Sequence, residues 1–195
     1  MISEPIIETW FPKTLYVVKN LHTDKLFIYR KEILKLVLNK SVRTNKNFVD
    51  TTHGFLENDL RHNKIFNNLV KDLTYHCNNY LTILGYSSKG KIINMWANLS
   101  KKGDYLFPHN HPNSLISGAF YVSATNDNDL IEFFDNINNM TTKVSKETDN
   151  IFSYQTCVHQ CTPGKLIMFK SDFLHGCSPL QGDEKIVISF NAIEE

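Results

Sequence analysis

Cysteine is scarce, with four in 195 residues: Cys77, Cys157, Cys161 and Cys177. They are too few and too unevenly spaced for a disulfide framework, so free thiols are expected. The run Cys157-Val-His-Gln-Cys161 encloses His159, but a zinc site calls for a second pair and the sequence has none. A strand end with small buried side chains is the simpler reading. Neither sign of charge dominates: Lys+Arg is 21 and Asp+Glu is 20, a formal charge of +1. That balance provides no electrostatic footprint for nucleic acid and no polybasic membrane anchor, so neither is expected as a partner. No apolar run approaches the ~18 residues of a membrane span. The opening MISEPIIETW has neither the basic start nor the apolar stretch of an export signal, and a cytoplasmic location is the expectation. Repeats and low-complexity tracts are also missing.

What is present suits a packed core. Apolar residues make up 42% and aromatics 12%, which excludes a disordered chain. The 21 asparagines are neutral and account for part of the negative mean hydropathy. A chain of this length fits one domain, 1–195, that buries roughly 70% of its unfolded surface.

The pattern changes along the chain. An opening segment from Pro5 to Val18 carries Trp10, Phe11 and the strand-like Leu15-Tyr-Val-Val18. A helix is predicted from about Thr23 to Asn39, capped by Thr23 or Asp24, with Leu26, Phe27, Ile33, Leu34, Val37 and Leu38 as its apolar positions. Asn39 to Gly54 reads as a polar loop. A second helix is predicted from Leu56 to about Leu84, closed by Gly85, with nothing on it that suggests chemistry. His62 and His76 belong to its surface or boundary. From residue 91 strand-like runs recur: Ile92 to Leu99, Leu115 to Ala124, Leu130 to Phe134, Phe152 to Val158, Leu166 to Phe169 and Ile186 to Ala192. The long polar connection Asn136 to Asn150 has the length of a segment that covers a site. Helices followed by a run of strands predict an α+β chain, mainly β, in which residues 1–85 support a sandwich or barrel built from 91–195.

The densest reactive stretch is Phe107-Pro-His109-Asn-His111-Pro-Asn-Ser114. Histidines at i and i+2 on a strand end point to one side, so both imidazoles can approach a single metal ion at ~2.0–2.2 Å. Pro108 and Pro112 stiffen the pair. Alone, the motif is equally a polar loop whose imidazoles hydrogen-bond the backbone. A third histidine, His175, lies between a strand and a turn, and Lys185 follows ten residues later. Three side chains capping one face of Fe(II) leave positions open for a bidentate co-substrate and O₂. A dicarboxylic 2-oxo acid has a second carboxylate that needs a buried cation and a hydroxyl. Lys185 and Ser189, four apart on one strand and facing the same way, offer both.

The sequence resembles the 2-oxoglutarate/Fe(II)-dependent oxygenase superfamily, and within it a family of oxygenases common in phages and marine bacteria. The resemblance is carried by Pro5-Ile-Ile-Glu-Thr-Trp-Phe-Pro12, Met95-Trp-Ala-Asn98, His109-Asn-His111-Pro-Asn-Ser114, Ser117-Gly-Ala-Phe-Tyr121-Val and Ile131-Glu-Phe-Phe-Asp135. It continues in Pro163-Gly-Lys-Leu-Ile-Met-Phe169, Leu174-His175 and Lys185-Ile-Val-Ile-Ser-Phe-Asn191. It implies a double-stranded β-helix, a jelly roll, with Fe(II) in its open end and 2-oxoglutarate as co-substrate. By position His109 is the first histidine ligand and His175 the distal one, while His111 stands where the superfamily usually has a carboxylate. The third ligand is His111, a carboxylate such as Asp135 or Asp172, or water. A three-histidine site would leave the iron complex one unit more positive. Lys185 stands where an arginine usually clamps 2-oxoglutarate, and Val187 occupies the usual serine position. A lysine lacks the planar fork of arginine; Lys185 is either the clamp or a charged strand-edge residue. Asn98, Ser117, Tyr121 and Asn191 are expected to line the co-substrate pocket with Ser189, and Trp96 to belong to the core.

The activity so implied is that of a hydroxylase acting on a small molecule or a protein side chain. Two alternatives stand beside it: a cupin-like three-histidine dioxygenase needing no oxo acid, and a non-catalytic jelly-roll binding or structural module whose histidines hold a structural metal or none. Edge strands and the N-terminal segment would allow a homodimer.

Overall fold

The computed structural model describes residues 6, 12–39, 41–43, 49–135 and 154–195. Trp10, Phe11, the connection 136–150 and the predicted strand start at Phe152 lie outside the described residues.

Helix α1 (Leu26–Asn39) follows a turn in which the Lys25 N–H donates to the His22 carbonyl at 2.9 Å. It therefore starts at Leu26 rather than Thr23. It buries Tyr29, Ile33 and Val37, one residue per turn, whereas Phe27 and Leu38, expected inside, are 76% and 85% exposed. The predicted helix from Leu56 forms differently. Three single 3₁₀ turns, Leu56–Asn58, Leu60–His62 and Lys64–Phe66, precede helix α2 (Asn67–Ile83). The Asp59 side chain accepts from the Arg61 N–H and that of Asn63 from the Ile65 N–H, each at 3.0 Å. These local bonds compete with continuous helix and break it into separate turns. Leu56 is left exposed. α2 buries Leu69, Leu73, Cys77, Tyr80 and Leu81 on one stripe. It ends as predicted at Gly85, whose φ of +85° suits glycine; Gly85 N–H bonds the Thr82 carbonyl and Tyr86 N–H that of Leu81.

The strands are β1 (Leu15–Val18), β2 (Val42–Arg43), β3 (Asp50–Thr51), β4 (Gly90–Lys101), β5 (Leu106–His109), β6 (Ile116–Ala124), β7 (Leu130–Phe134), β8 (Thr156–Gln160), β9 (Leu166–Lys170), β10 (His175–Cys177) and β11 (Glu184–Glu194). Seven form one sheet in the order β1-β9-β6-β11-β4-β3-β2, and four form a second, β5-β10-β7-β8. All pairings are antiparallel. The polar passage read as a loop thus contains β2 and β3, which extend the edge of the large sheet. Two-residue strands carry too little alternation to be read from sequence. Among the described residues no helix is long and apolar enough to cross a membrane.

Strand alternation divides the large sheet into two faces. One face presents Met95, Ala97, Leu99, Phe120, Val122, Met168, Ile186, Ile188 and Phe190 to α1 and α2 in the main core. The other presents Ala119, Tyr121, Ile167 and Phe169 to Ile131, Phe133 and Cys161 of the second-sheet side. That inner face also carries polar side chains, and the two sheets enclose a cavity there. The geometry at Gly118 is tight: a Cβ there would lie 2.3 Å from Cζ of Phe190, its paired residue, which is fully buried. Gly118→Ala is expected to destabilise the fold by about 1–3 kcal/mol, read as a lower midpoint in calorimetric unfolding.

α1 is tied to β11 by a two-pronged ion pair. Arg30 Nε and Nη2 donate to the two carboxylate oxygens of Glu184, each at 2.8 Å, and Ser123 Oγ adds a third bond at 3.0 Å. The hydrogen bonds from Arg30 hold the Glu184 carboxyl below its ordinary range, outweighing desolvation. A depressed folded-state value means stability that is present above the ordinary glutamate range and lost as pH falls through the folded-state value. Arg30 is partly exposed, so the pair is worth no more than about 1 kcal/mol. The stability difference between Arg30→Ala and the parent, measured by urea unfolding, is expected to be present at neutral pH and to close in acid.

Candidate functional site

The site is built where β5 and β10 meet. Their pairing sets His175 directly opposite His109. The chain then turns, and the His111 N–H donates to the Ser171 carbonyl at 2.9 Å, which brings a third imidazole to the same place. Ring centroids of His109 and His175 are 4.4 Å apart; His111 stacks on His175 at 5.1 Å with an interplanar angle of 9°. The ligating atoms of the three lie within 4.8 Å of one another, and Nε2 of His111 is 3.3 Å from Nε2 of His175. Two nitrogens each ~2.1 Å from one cation and at right angles would be roughly 3.0 Å apart, so this pair fits a shared metal.

The outer nitrogens set the tautomers. Nδ1 of His109 donates to the Phe107 carbonyl at 2.8 Å and Nδ1 of His175 to the Phe173 carbonyl at 2.9 Å. A carbonyl only accepts, so each Nδ1 carries the proton and each Nε2 presents a lone pair. Burial, reinforced by the neighbouring imidazoles, pushes His175 down to about 3 and His111 down to about 4. Both are neutral near pH 7, as a metal ligand must be.

Asp135 and Asp172 stand outside this cluster: among the described residues the metal-competent group consists of the three histidines. Asp135 instead pairs with Lys13 at 2.5 Å. Cys157, His159 and Cys161 form no such group either; Cys161 is buried and Cys157 is exposed on β8.

The imidazoles form one wall of a cavity of about 460 Å³, within the usual range for small-molecule sites. Its other walls include Asn98, Tyr121, Lys185, Val187, Ser189 and Asn191. Lys185 is 5% exposed, and among the described residues no carboxylate lies within ion-pairing distance of it. Burial opposes its charge, but the Cys177 and Cys161 sulfurs and Asp129 outweigh that effect and raise its pKa, so it is an ammonium at neutral pH. Asn98 Nδ2 donates to Ser189 Oγ at 3.2 Å. Tyr121 is fully buried, and burial raises its phenol well above the ordinary value, keeping it neutral.

Ser117 departs from expectation. It does not line the cavity; its Oγ donates to Asn191 Oδ1 at 2.8 Å and lies 2.8 Å from Ser171 Oγ. Cross-strand pairing of Ser117 with Asn191 turns its side chain to a neighbour instead. Trp96 is 8% exposed but reaches the cavity, with its ring 4.6 Å from that of His53. His53, Asn94, Ser100 and Cys177 also line it and were not singled out by sequence. His53 sits in the polar passage before β4, where no periodicity marks it.

A family model described as "Putative 2OG-Fe(II) oxygenase" matches residues 94–191, half of the chain. No curated protein sequence matched. Among solved structures, a Pseudomonas putida prolyl-4-hydroxylase superposes with a TM-score of 0.67 at 10% identity, covering 94% of each chain. The alpha-ketoglutarate-dependent epimerase SnoN of nogalamycin biosynthesis gives 0.68 at 12% identity, covering 93% of this chain and 78% of its own. A viral collagen prolyl hydroxylase from Paramecium Bursaria Chlorella virus-1, solved with 2OG, gives 0.59 at 14% identity, covering 91% and 94%. At such identities the likeness is one of fold, the jelly roll described above. The matched segment runs from β4 to β11 and contains all three histidines and Lys185, and the chain belongs to the 2OG-Fe(II) oxygenase family, enzymes dependent on Fe(II) and 2-oxoglutarate.

Proposed function

We propose that the protein is a hydroxylase in which His109, His111 and His175 hold Fe(II) and Lys185 receives the far carboxylate of 2-oxoglutarate. The observation that carries this is the convergence of three imidazoles and one buried ammonium on a single cavity. When bound, the iron supplies the redox chemistry that couples oxidative decarboxylation of 2-oxoglutarate by O₂ to hydroxylation of a second molecule. The protein's own part is geometric and electrostatic. The Phe107 and Phe173 carbonyls hold two imidazoles in the ligating tautomer. Lys185 neutralises an incoming carboxylate, at a point rather than through a fork. Ser189, already bonded to Asn98, offers a hydroxyl on the same strand face, and the Tyr121 phenol stays protonated as a donor. The apolar residues between the sheets keep water away from the reacting groups. The described residues of 1–85 act as support for those of 91–195 in one functional unit.

The prime substrate is a small molecule or a protein side chain; the similar solved structures include both an epimerase of nogalamycin biosynthesis and prolyl hydroxylases. One observation favours a second reading: the cluster has no carboxylate among the described residues, as in three-histidine dioxygenases that use no oxo acid. Anaerobic titration separates them. The hydroxylase should bind one 2-oxoglutarate per Fe(II), with a visible charge-transfer band, and release succinate on exposure to air. Fe(II) binding without a 2-oxoglutarate response would favour the second reading.

A further inference from the structure

Asn191 stands six residue steps after Lys185 on β11, roughly 20 Å at ~3.3 Å per residue, so the two stand at opposite ends of the cavity that both line. The Asn191 end differs in chemistry. Among the described residues that line the cavity, Lys185 alone is a Lys, Arg, Asp or Glu. A charged substrate entering at the far end would meet no oppositely charged Lys, Arg, Asp or Glu side chain among the described residues. Asn191 itself is held by a relay. Ser117 Oγ donates its single proton to Asn191 Oδ1 at 2.8 Å, so the Ser117–Ser171 contact at 2.8 Å must be Ser171 donating to Ser117. All three residues are at least 95% buried. With Oδ1 engaged by Ser117, the N–H donors of Asn191 are the groups left without a protein partner at the cavity it lines. Directly across the strand pair, in register, is Asn94, which also lines the cavity. Its buried Oδ1 has no hydrogen-bond partner, and an acceptor in that state favours any ligand that supplies a donor.

A fixed donor beside an unsatisfied acceptor, with no charged side chain at that end among the described residues, is the complement of an amide, which carries C=O and N–H side by side. We propose that the Asn94–Asn191 end of the cavity is the prime-substrate subsite and that it takes a neutral amide, a peptide unit or a carboxamide, with Ser117 and Ser171 as positioning residues. This rests on the reading that 2-oxoglutarate occupies the Lys185 end.

The test uses the full chain loaded with Mn(II) and 2-oxoglutarate, whose binding is verified first by calorimetry. Failure at that step overturns the oxygenase site itself. Probes are then N-acetyl dipeptide amides, their ester analogues lacking the central N–H, free dicarboxylates, diamines and neutral polyols, with affinities from ligand-observed NMR. The expected result is binding of the amides alone, with a preference over the esters of about tenfold or more. Asn191→Asp should remove amide binding by turning a donor into an acceptor. Ser117→Ala releases the Asn191 side chain to rotate, so the amide-to-ester preference should fall towards unity. A purely structural role for Ser117 would weaken both probes in proportion and preserve the ratio. Equal or tighter binding of charged probes or polyols, no amide binding at millimolar concentration, or an unchanged ratio in Ser117→Ala would each overturn the proposal.

Discussion

Lys185→Met is expected to weaken 2-oxoglutarate binding by about 30-fold to several thousand-fold, the range that follows from removing one partner of a buried, hydrogen-bonded charge pair worth 2–5 kcal/mol. The ammonium is 5% exposed, so its attraction for a carboxylate is little screened by solvent. Methionine keeps the unbranched stem and approximate volume. It strands no ion-paired carboxylate, since none lies within reach of Lys185 among the described residues. The variant should therefore fold, with the loss confined to the ligand. Calorimetric titration of the Mn(II)-loaded protein measures it directly. The thermal shift that 2-oxoglutarate confers on the parent should disappear with it. Retained affinity would mean that Lys185 is a charged strand residue without a clamping role.

His175→Ala is expected to lower Mn(II) affinity by more than about 100-fold. Loss of outer hydrogen-bonding partners alone costs 10–100-fold at metal sites, and loss of a ligand costs more. The His175 ring lies 4.4 Å from that of His109 and 5.1 Å from that of His111, between centroids. Without it the remaining pair comes from one turn, and the lone pair fixed by the Phe173 carbonyl is gone. Its alanine variant should lose 2-oxoglutarate-dependent succinate release together with metal. Wild-type metal affinity in the variant would show that the cluster is not the iron site.

The long alternating and apolar runs on β4, β6, β7, β9 and β11 were legible because burial on one or both faces leaves a periodic trace in the chain itself. The helices were legible as far as their buried stripes, and misplaced where local bonds from Asp59 and Asn63 displaced helical ones. β2, β3 and β10 were not legible: strands of two or three residues are held by their neighbours, not by their own pattern. The same holds within the site. His109, His111, His175 and Lys185 stand in motifs with recognisable spacing, whereas His53 and Asn94 have no local signature and enter the cavity only through sheet pairing.

Composition and local pattern by themselves determined that this chain packs helices against a β core, where its reactive histidines lie, and which lysine could meet a carboxylate. Only the tertiary structure decided that three imidazoles share one locus without Asp135, that Ser117 serves Asn191 instead of the cavity, and that among the described residues Lys185 is the one Lys, Arg, Asp or Glu lining the cavity. Those are contacts between strands distant along the chain. Their distances depend on how two sheets register and close over each other, and no short stretch of sequence contains that geometry.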